Sequence, residues 1–233
     1  MMPAAGTERD VFPPYLYEAY RSTIRRAPRQ PLIEVMATLT EHTGPGPTLS
    51  AIVPEDADLT RNAGTGGEAI GQRIIVTGRV FDEAGPIAGA LIEVWQANAS
   101  GRYWHCNDPW PGALDPHFIG MGRCLTDREG AYRFLTIRPG AYPWRNHPNA
   151  WRPAHIHFSL FGNNSRGRLV TQMYFPDDPL LPFDPILSAV PEAARPGLIA
   201  AYAHDVTEPE WALGWRWDIH LRGAGATQFE PPR

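Results

Sequence analysis

Apolar and polar side chains alternate along much of this chain at the spacing of β-strands. Arg73-Ile74-Ile75-Val76-Thr77-Gly78-Arg79-Val80-Phe81 is a β-branched run that stops at the turn cluster Asp82-Glu83-Ala84-Gly85-Pro86. Residues 90–96 give the next apolar run, Leu125-Thr126 leads into a turn at residues 127–130, and residues 131–137 continue beyond it. His155-Ile156-His157-Phe158-Ser159-Leu160 alternates with a period of two, which predicts a half-buried strand. Its two imidazoles then share one face, roughly 6.5–7 Å apart along the strand. Residues 169–175 and 215–221 read as further strands. One helix is predicted between Pro191 and His204, where strong helix formers surround a breaking Pro196. Turn-bounded strands with little helix predict an all-β fold, a β-sandwich of mainly antiparallel strands with long irregular loops.

The first 60 residues do not share this pattern. Pro13-Pro14 precedes a segment, Tyr15 to Ile24, that has room for one or two helical turns, and prolines at 28, 31, 45, 47 and 54 interrupt any regular element after it. Three tyrosines, Leu16 and Ile24 make this segment too apolar for a free tail. It reads as an N-terminal arm, residues 1–60, that packs on its own domain or embraces a second subunit, with residues 61–233 as one domain.

Composition narrows the function. The 25 prolines and 22 glycines are spread between short apolar runs, as a strand-and-turn protein requires. The net charge of −4 is mild, and all 21 basic residues are arginine without a basic run, so nucleic acid is not an expected partner. No apolar stretch approaches the length of a membrane span, and the N-terminus shows no signal-peptide core. A cytoplasmic protein is expected, with Cys106 and Cys124 as reduced and unreactive thiols.

Candidate chemistry centres on His155 and His157. Zinc would need a third His, Cys or carboxylate, with Asp108, Asp115 and Cys106 as candidates brought in by folding, and an Fe(II) oxygenase site would need one carboxylate. Tyrosines recur on the flanks, in Gly101-Arg102-Tyr103-Trp104-His105 and Ala141-Tyr142-Pro143-Trp144, and Arg152-Pro153 stands directly before the histidine pair.

Several ordered blocks carry a family resemblance. Gly101-Arg102-Tyr103, Gly122-Arg123-Cys124-Leu125-Thr126-Asp127, Tyr142-Pro143-Trp144-Arg145-Asn146 and Trp151-Arg152-Pro153-Ala154-His155-Ile156-His157-Phe158 resemble the intradiol ring-cleaving dioxygenases, and the likeness runs from about Tyr20 to the C-terminus. The resemblance implies one non-haem Fe(III) ion per chain, held by Tyr103, Tyr142, His155 and His157. It implies two catalytic residues: Tyr142, which leaves the metal and helps remove a catechol proton, and Arg152, which stabilises negative charge on the ring. An ion pair with a nearby carboxylate is the other reading of Arg152. Tyr20, Trp95, Trp144, Gln172 and Ile186 would line the substrate pocket, although Trp95 and Trp144 also suit a core and Gln172 also suits a buried hydrogen-bonding role. The donor set makes chemical sense, since phenolates are hard anionic ligands that favour Fe(III), and a phenol near pKa 10 needs a strong Lewis acid to ionise.

The same resemblance implies a catalytic domain over residues 61–233 and a pocket shared with a related α subunit. The implied substrates are O2 and protocatechuate (3,4-dihydroxybenzoate), cleaved to 3-carboxy-cis,cis-muconate. Another catechol, a non-catalytic β-sandwich binding module and a zinc hydrolase built on the histidine pair are the competing readings.

Overall fold

The structure is a computed structural model that describes residues 13–33, 52–147, 150–161, 168–221 and 227. Two sheets face each other across one hydrophobic core, as the alternation predicts. The first is built around β1 (Arg73–Asp82), which pairs antiparallel with β2 (Gly85–Pro86) and β5 (Ala131–Ile137). The second runs in the order β4 (Met121–Leu125), β3 (Leu91–Trp95), β8 (His155–Phe161), β9 (Arg168–Tyr174), all antiparallel. A two-stranded ribbon, β6 (Tyr142–Pro143) with β7 (Trp151–Arg152), lies outside both sheets. Ile74 and Val76 of β1, Phe134 of β5, Ile92 and Val94 of β3, and Ile156, Phe158 and Leu160 of β8 meet in the core between the sheets.

Four local expectations need correction. The β8 strand is buried along both faces rather than half-buried: His155, His157 and Ser159 are as enclosed as the apolar residues between them. Its outer face is covered by loops that come from elsewhere in the chain, which alternation alone does not reveal.

Residues 215–221 are not one strand. They divide into β11 (Leu213–Arg216) and β12 (Ile219–His220), both parallel to β1, with Trp217 between them. The Trp217 carbonyl turns inward to accept from the Tyr132 hydroxyl at 2.6 Å, and a Cβ on Gly78 would sit 1.8 Å from that oxygen. The strand therefore breaks where it crosses the one glycine of β1.

The predicted helix between Pro191 and His204 is a 3-10 segment, Glu192–Leu198, followed by extended chain at Ile199 and the short edge strand β10 (Ala201–Tyr202). Pro196 removes a helical N–H, and Ile199 bridges to Tyr174 while Leu198 enters the core. Near the N-terminus the helix is α1 (Arg21–Arg26), later than the Tyr15 start expected, and it ends before Pro28.

The end of the arm belongs to the domain. Leu59 lies fully buried in the core, and its N–H donates to the Leu135 carbonyl at 2.9 Å. Of the residues before it, Tyr20 and Thr23 are buried while Tyr15, Leu16, Ile24, Leu32 and Ile33 are exposed. The arm's prolines at 45 and 47 fall outside the described residues.

Two measurements check this packing. Gly78→Ala should lower stability by roughly 1–3 kcal/mol, the usual scale of overpacking, and bring the thermal midpoint down by several degrees. Cys124 is buried on β4 and burial pushes its thiol up to about 12, whereas Cys106 is exposed. A thiol-reactive dye at pH 8 should label Cys106 alone in the native protein and both cysteines after denaturation; fast labelling of Cys124 in the folded state would contradict the core.

Candidate metal centre

The period of two along β8 sends Ile156 and Phe158 into the core and His155 and His157 to the opposite face. Neighbouring strands supply what stands beside them. Trp95 of β3 pairs with His157 and stacks on its ring, centroids 4.8 Å apart, and Gln172 and Tyr174 of β9 pair with His157 and His155. Two loops then fold over this face. One, after β3, brings Tyr103; the other, through the β6–β7 ribbon, brings Tyr142 and Arg152.

A glycine makes the junction of those loops possible. Gly101 has φ +74°, and a Cβ there would stand 2.2 Å from the carbonyl oxygen of Ala141, the residue before Tyr142. Asn98 fixes the same loop: its side-chain oxygen accepts from the N–H groups of Ser100 and Arg102 at 2.9 and 3.0 Å. Asp108 accepts from the Tyr103 N–H at 2.9 Å and from the Trp110 N–H at 2.9 Å.

The four side-chain donors implied by the family resemblance come together. Tyr103 Oη lies 3.4 Å from Tyr142 Oη, Tyr142 Oη lies 3.2 Å from His155 Nε2, and His155 Nε2 lies 3.2 Å from His157 Nε2. Donors held at about 2.1 Å from one first-row ion, at angles from 90° to 110°, stand about 3.0–3.4 Å apart, so the set fits a single metal. The tautomer fits too. His155 Nδ1 is 2.7 Å from the Pro153 carbonyl, which can only accept, so Nδ1 carries the proton and Nε2 keeps its lone pair.

Electrostatics reinforce this. Burial, with Arg152 and His157 nearby, holds the His155 pKa well below the usual imidazole value, so the ring is neutral. Burial also raises the Tyr142 phenol above its ordinary value, although the Arg152 guanidinium opposes the shift. The phenol stays protonated until a cation takes the proton's place.

The zinc alternative loses its third ligand. Among the described residues no three His, Cys, Asp or Glu side chains gather into a metal cluster. Asp108 is engaged by the Tyr103 and Trp110 N–H groups, Asp115 accepts from those of Ile70 and His117, and Cys106 is exposed.

Arg152 is 2% exposed and makes the ion pair with a nearby carboxylate that was one of its two readings. Its Nε donates to Asp184 Oδ1 at 3.0 Å and its Nη2 to Asp184 Oδ2 at 2.9 Å, while Nη1 lies 3.5 Å from Tyr142 Oη. Burial disfavours its charge, but Asp184, Tyr174 and Tyr142 more than compensate and the guanidinium stays ionised.

A cavity of about 930 Å³ opens beside the donors. Tyr20, Trp95, Trp144 and Ile186 line it together with Tyr103, Tyr142, His157 and Arg152. Tyr20 and Trp144 meet edge to face at 5.2 Å, and Ser22 of the arm donates its N–H to Asn146 at 2.9 Å. Gln172 stands elsewhere. It is buried behind Arg152, accepting from Nη2 and from the Tyr174 hydroxyl, in the hydrogen-bonding role that was its other reading. Sequence reasoning missed Asp184 and Tyr174, which hold Arg152, and Arg145, a cation on the cavity wall. Asp184-Pro185 was readable as a helix start, because Asp184 caps α2 (Pro185–Ala189) with proline at its first position.

Comparison with known proteins places the chain in a family. The family model described as Dioxygenase matches residues 45–223, and one described as Protocatechuate 3,4-dioxygenase beta subunit N terminal matches residues 6–38. The chain belongs to the intradiol dioxygenase family. Within it, the chain is 54% identical over 98% of its length to the protocatechuate 3,4-dioxygenase beta chain of Burkholderia cepacia, covering 98% of that protein. The alpha chain from Pseudomonas putida is 28% identical over 70% of this chain and 77% of its own length. The fold is that of 3-chlorocatechol 1,2-dioxygenase from Rhodococcus opacus 1CP, with a TM-score of 0.55, 24% identity, and coverage of 72% of this chain and 66% of that one.

Gly101→Ala should separate the two tyrosine loops. After iron loading, the variant is expected to retain at most about a tenth of the iron that the unaltered protein takes up, with its far-ultraviolet circular dichroism unchanged, because even an outer contact that orients a donor is worth about tenfold or more in metal affinity. Full iron occupancy in that variant would show that the Gly101–Ala141 approach does not set the site.

Proposed function

We propose that this chain is the iron-bearing subunit of an enzyme that opens the ring of protocatechuate with O2, between the two hydroxyl-bearing carbons, to give 3-carboxy-cis,cis-muconate. The observation that carries the proposal is the run of four donor atoms, two phenolic and two imidazole, each within 3.4 Å of the next, three of them from residues that line an aromatic cavity. Near-complete alignment with a beta chain named for this activity supports the choice of substrate.

Tyr103, Tyr142, His155 and His157 would hold a ferric ion. When bound, that ion would ionise the two phenols and draw electron density from a chelated diol, preparing the ring to react with O2. The residues do the rest. Tyr142 Oη, once ionised, is the nearest proton acceptor for a catechol hydroxyl entering beside it. The catechol O–H bond breaks as the Tyr142 O–H bond forms, the proton stays on Tyr142 Oη, and Arg152 Nη1, 3.5 Å away, donates to that oxygen. The same guanidinium, itself buried, faces the ring space and stabilises negative charge that develops on carbon. Trp95, Trp144 and Ile186 confine the ring in its plane, and Arg145, exposed at the cavity wall, offers a partner for the substrate carboxylate.

The exposed apolar residues of the arm favour a complex with a related α chain that shares the cavity, in the manner the names of the beta and alpha relatives suggest. A reducing, cytoplasmic location suits the two free thiols. Among the described residues no helix is long and apolar enough to cross a membrane.

The test is oxygen uptake by the iron-loaded protein, purified alone and with its related chain, in protocatechuate. One O2 consumed for each ring opened supports the reading, and turnover only of unsubstituted catechol would move the substrate to another member of the class. Arg152→Lys keeps a cation against Asp184 but loses the fork. It should bind iron normally and turn over about a hundredfold slower, the scale of removing one preorganised electrostatic group. Wild-type turnover in that variant would take Nη1 out of the chemistry.

A further inference from the structure

The Arg152 guanidinium is gripped on two of its three nitrogens by groups that do not line the cavity. Its Nε donates to Asp184 Oδ1. Its Nη2 has three acceptors within reach, Asp184 Oδ2, Tyr174 Oη at 3.1 Å and Gln172 Oε1, for only two hydrogens. The Tyr174 hydroxyl is in turn 2.9 Å from Asp184 Oδ2 and 3.1 Å from Gln172 Oε1, so its single hydrogen ties it to one of the two at a time while its oxygen accepts from Nη2. Asp184 is fully buried and Arg152, Gln172 and Tyr174 nearly so. Only Nη1 is left to face Tyr142 and the cavity.

Asp184 makes a second connection. The oxygen that accepts from Arg152 Nε also accepts from the Ile186 N–H at 3.0 Å, as the cap of α2. Ile186 is a cavity wall residue. One carboxylate thus fixes the direction of the guanidinium and the start of the wall that faces the ring. A buried pair of this kind is a poor source of net stability, because desolvating both ions offsets their attraction. Its return is a fixed geometry in a place where the charge is needed.

We propose that Asp184 is a positioning residue, assisted by Tyr174 and Gln172, that locks Arg152 with Nη1 alone presented to the reacting ring and holds Ile186 in register with it. This rests on the dioxygenase reading of the site. Asp184 acts through Arg152 and touches neither the donors nor the substrate space.

The test compares iron-loaded wild type, Asp184→Asn, Tyr174→Phe and Gly78→Ala, each measured for iron content, tyrosinate visible absorption, thermal midpoint, kcat and KM. In Asp184→Asn the iron content and visible band should match wild type, with KM within about threefold and kcat lower by about tenfold or more, because the amide offers Arg152 one acceptor instead of two and no charge. Tyr174→Phe removes one member of the grip without unpairing the ions, and should lower kcat about threefold with the same band and KM. Gly78→Ala, destabilised at a remote site, should keep wild-type kcat, which separates positioning from general loss of stability. Should Asp184→Asn fail to fold, Tyr174→Phe decides alone. Unchanged kcat in the soluble variants, or loss of iron and colour in step with kcat, would overturn the proposal, the latter by showing that the carboxylate supports the whole metal site. A wild-type protein that binds iron with colour yet consumes no O2 with any catechol would instead sink the dioxygenase reading on which the proposal stands.

Discussion

The register of β8 is the constraint on which the rest depends. Its apolar residues Ile156, Phe158 and Leu160 must enter the core between the sheets, and a slip of one residue would turn the histidines into that core and the apolar set to the covered site face. Pairing with β3 and β9 on both sides holds that register over the whole strand. The core therefore specifies where two imidazoles point, and the stacking of Trp95 on His157 and the bond from His155 Nδ1 to Pro153 set how they are turned. Hydrophobic burial on one face orders polar chemistry on the other.

The outer face of that sheet is an unusual place for polar groups, because loops cover it and bury His155, His157 and Arg152 beside the cavity. Each buried group there is matched in kind. His155 is kept neutral by burial, Tyr142 is kept protonated by burial, and Arg152 stays charged because Asp184 is buried with it. Such a site is poised to take up a cation and release phenolic protons in exchange. A metal bound here would restore the charge balance that desolvation denies to free phenolates.

Much of this was legible in the residues themselves. The strands β1, β3, β5, β8 and β9 follow directly from alternation and β-branched runs, and the blocks around Tyr103, Tyr142 and His155 carry the family. What escaped the sequence is non-local. The division of residues 213–220 depends on a carbonyl meeting Gly78, which lies far off in the chain. The 3-10 segment at 192–198 gives way to extended chain because Ile199 finds Tyr174. Asp184 pairs with an arginine 32 residues earlier, and no spacing rule links the two. For Gln172, position in a matching block points to the pocket wall. The period of two does put it on the site face, but it accepts from Arg152 Nη2 and does not line the cavity.

The central claim is that two tyrosines and two histidines share one ferric ion. Resonance Raman spectroscopy of the iron-loaded protein, prepared with ring-deuterated tyrosine and excited in its visible band, tests it most directly. The account predicts enhanced phenolate modes that shift with the label and lose about half their intensity when Tyr103 is replaced by phenylalanine, as expected if two phenolates share the metal. A spectrum without tyrosine modes, or one indifferent to Tyr103, would contradict it.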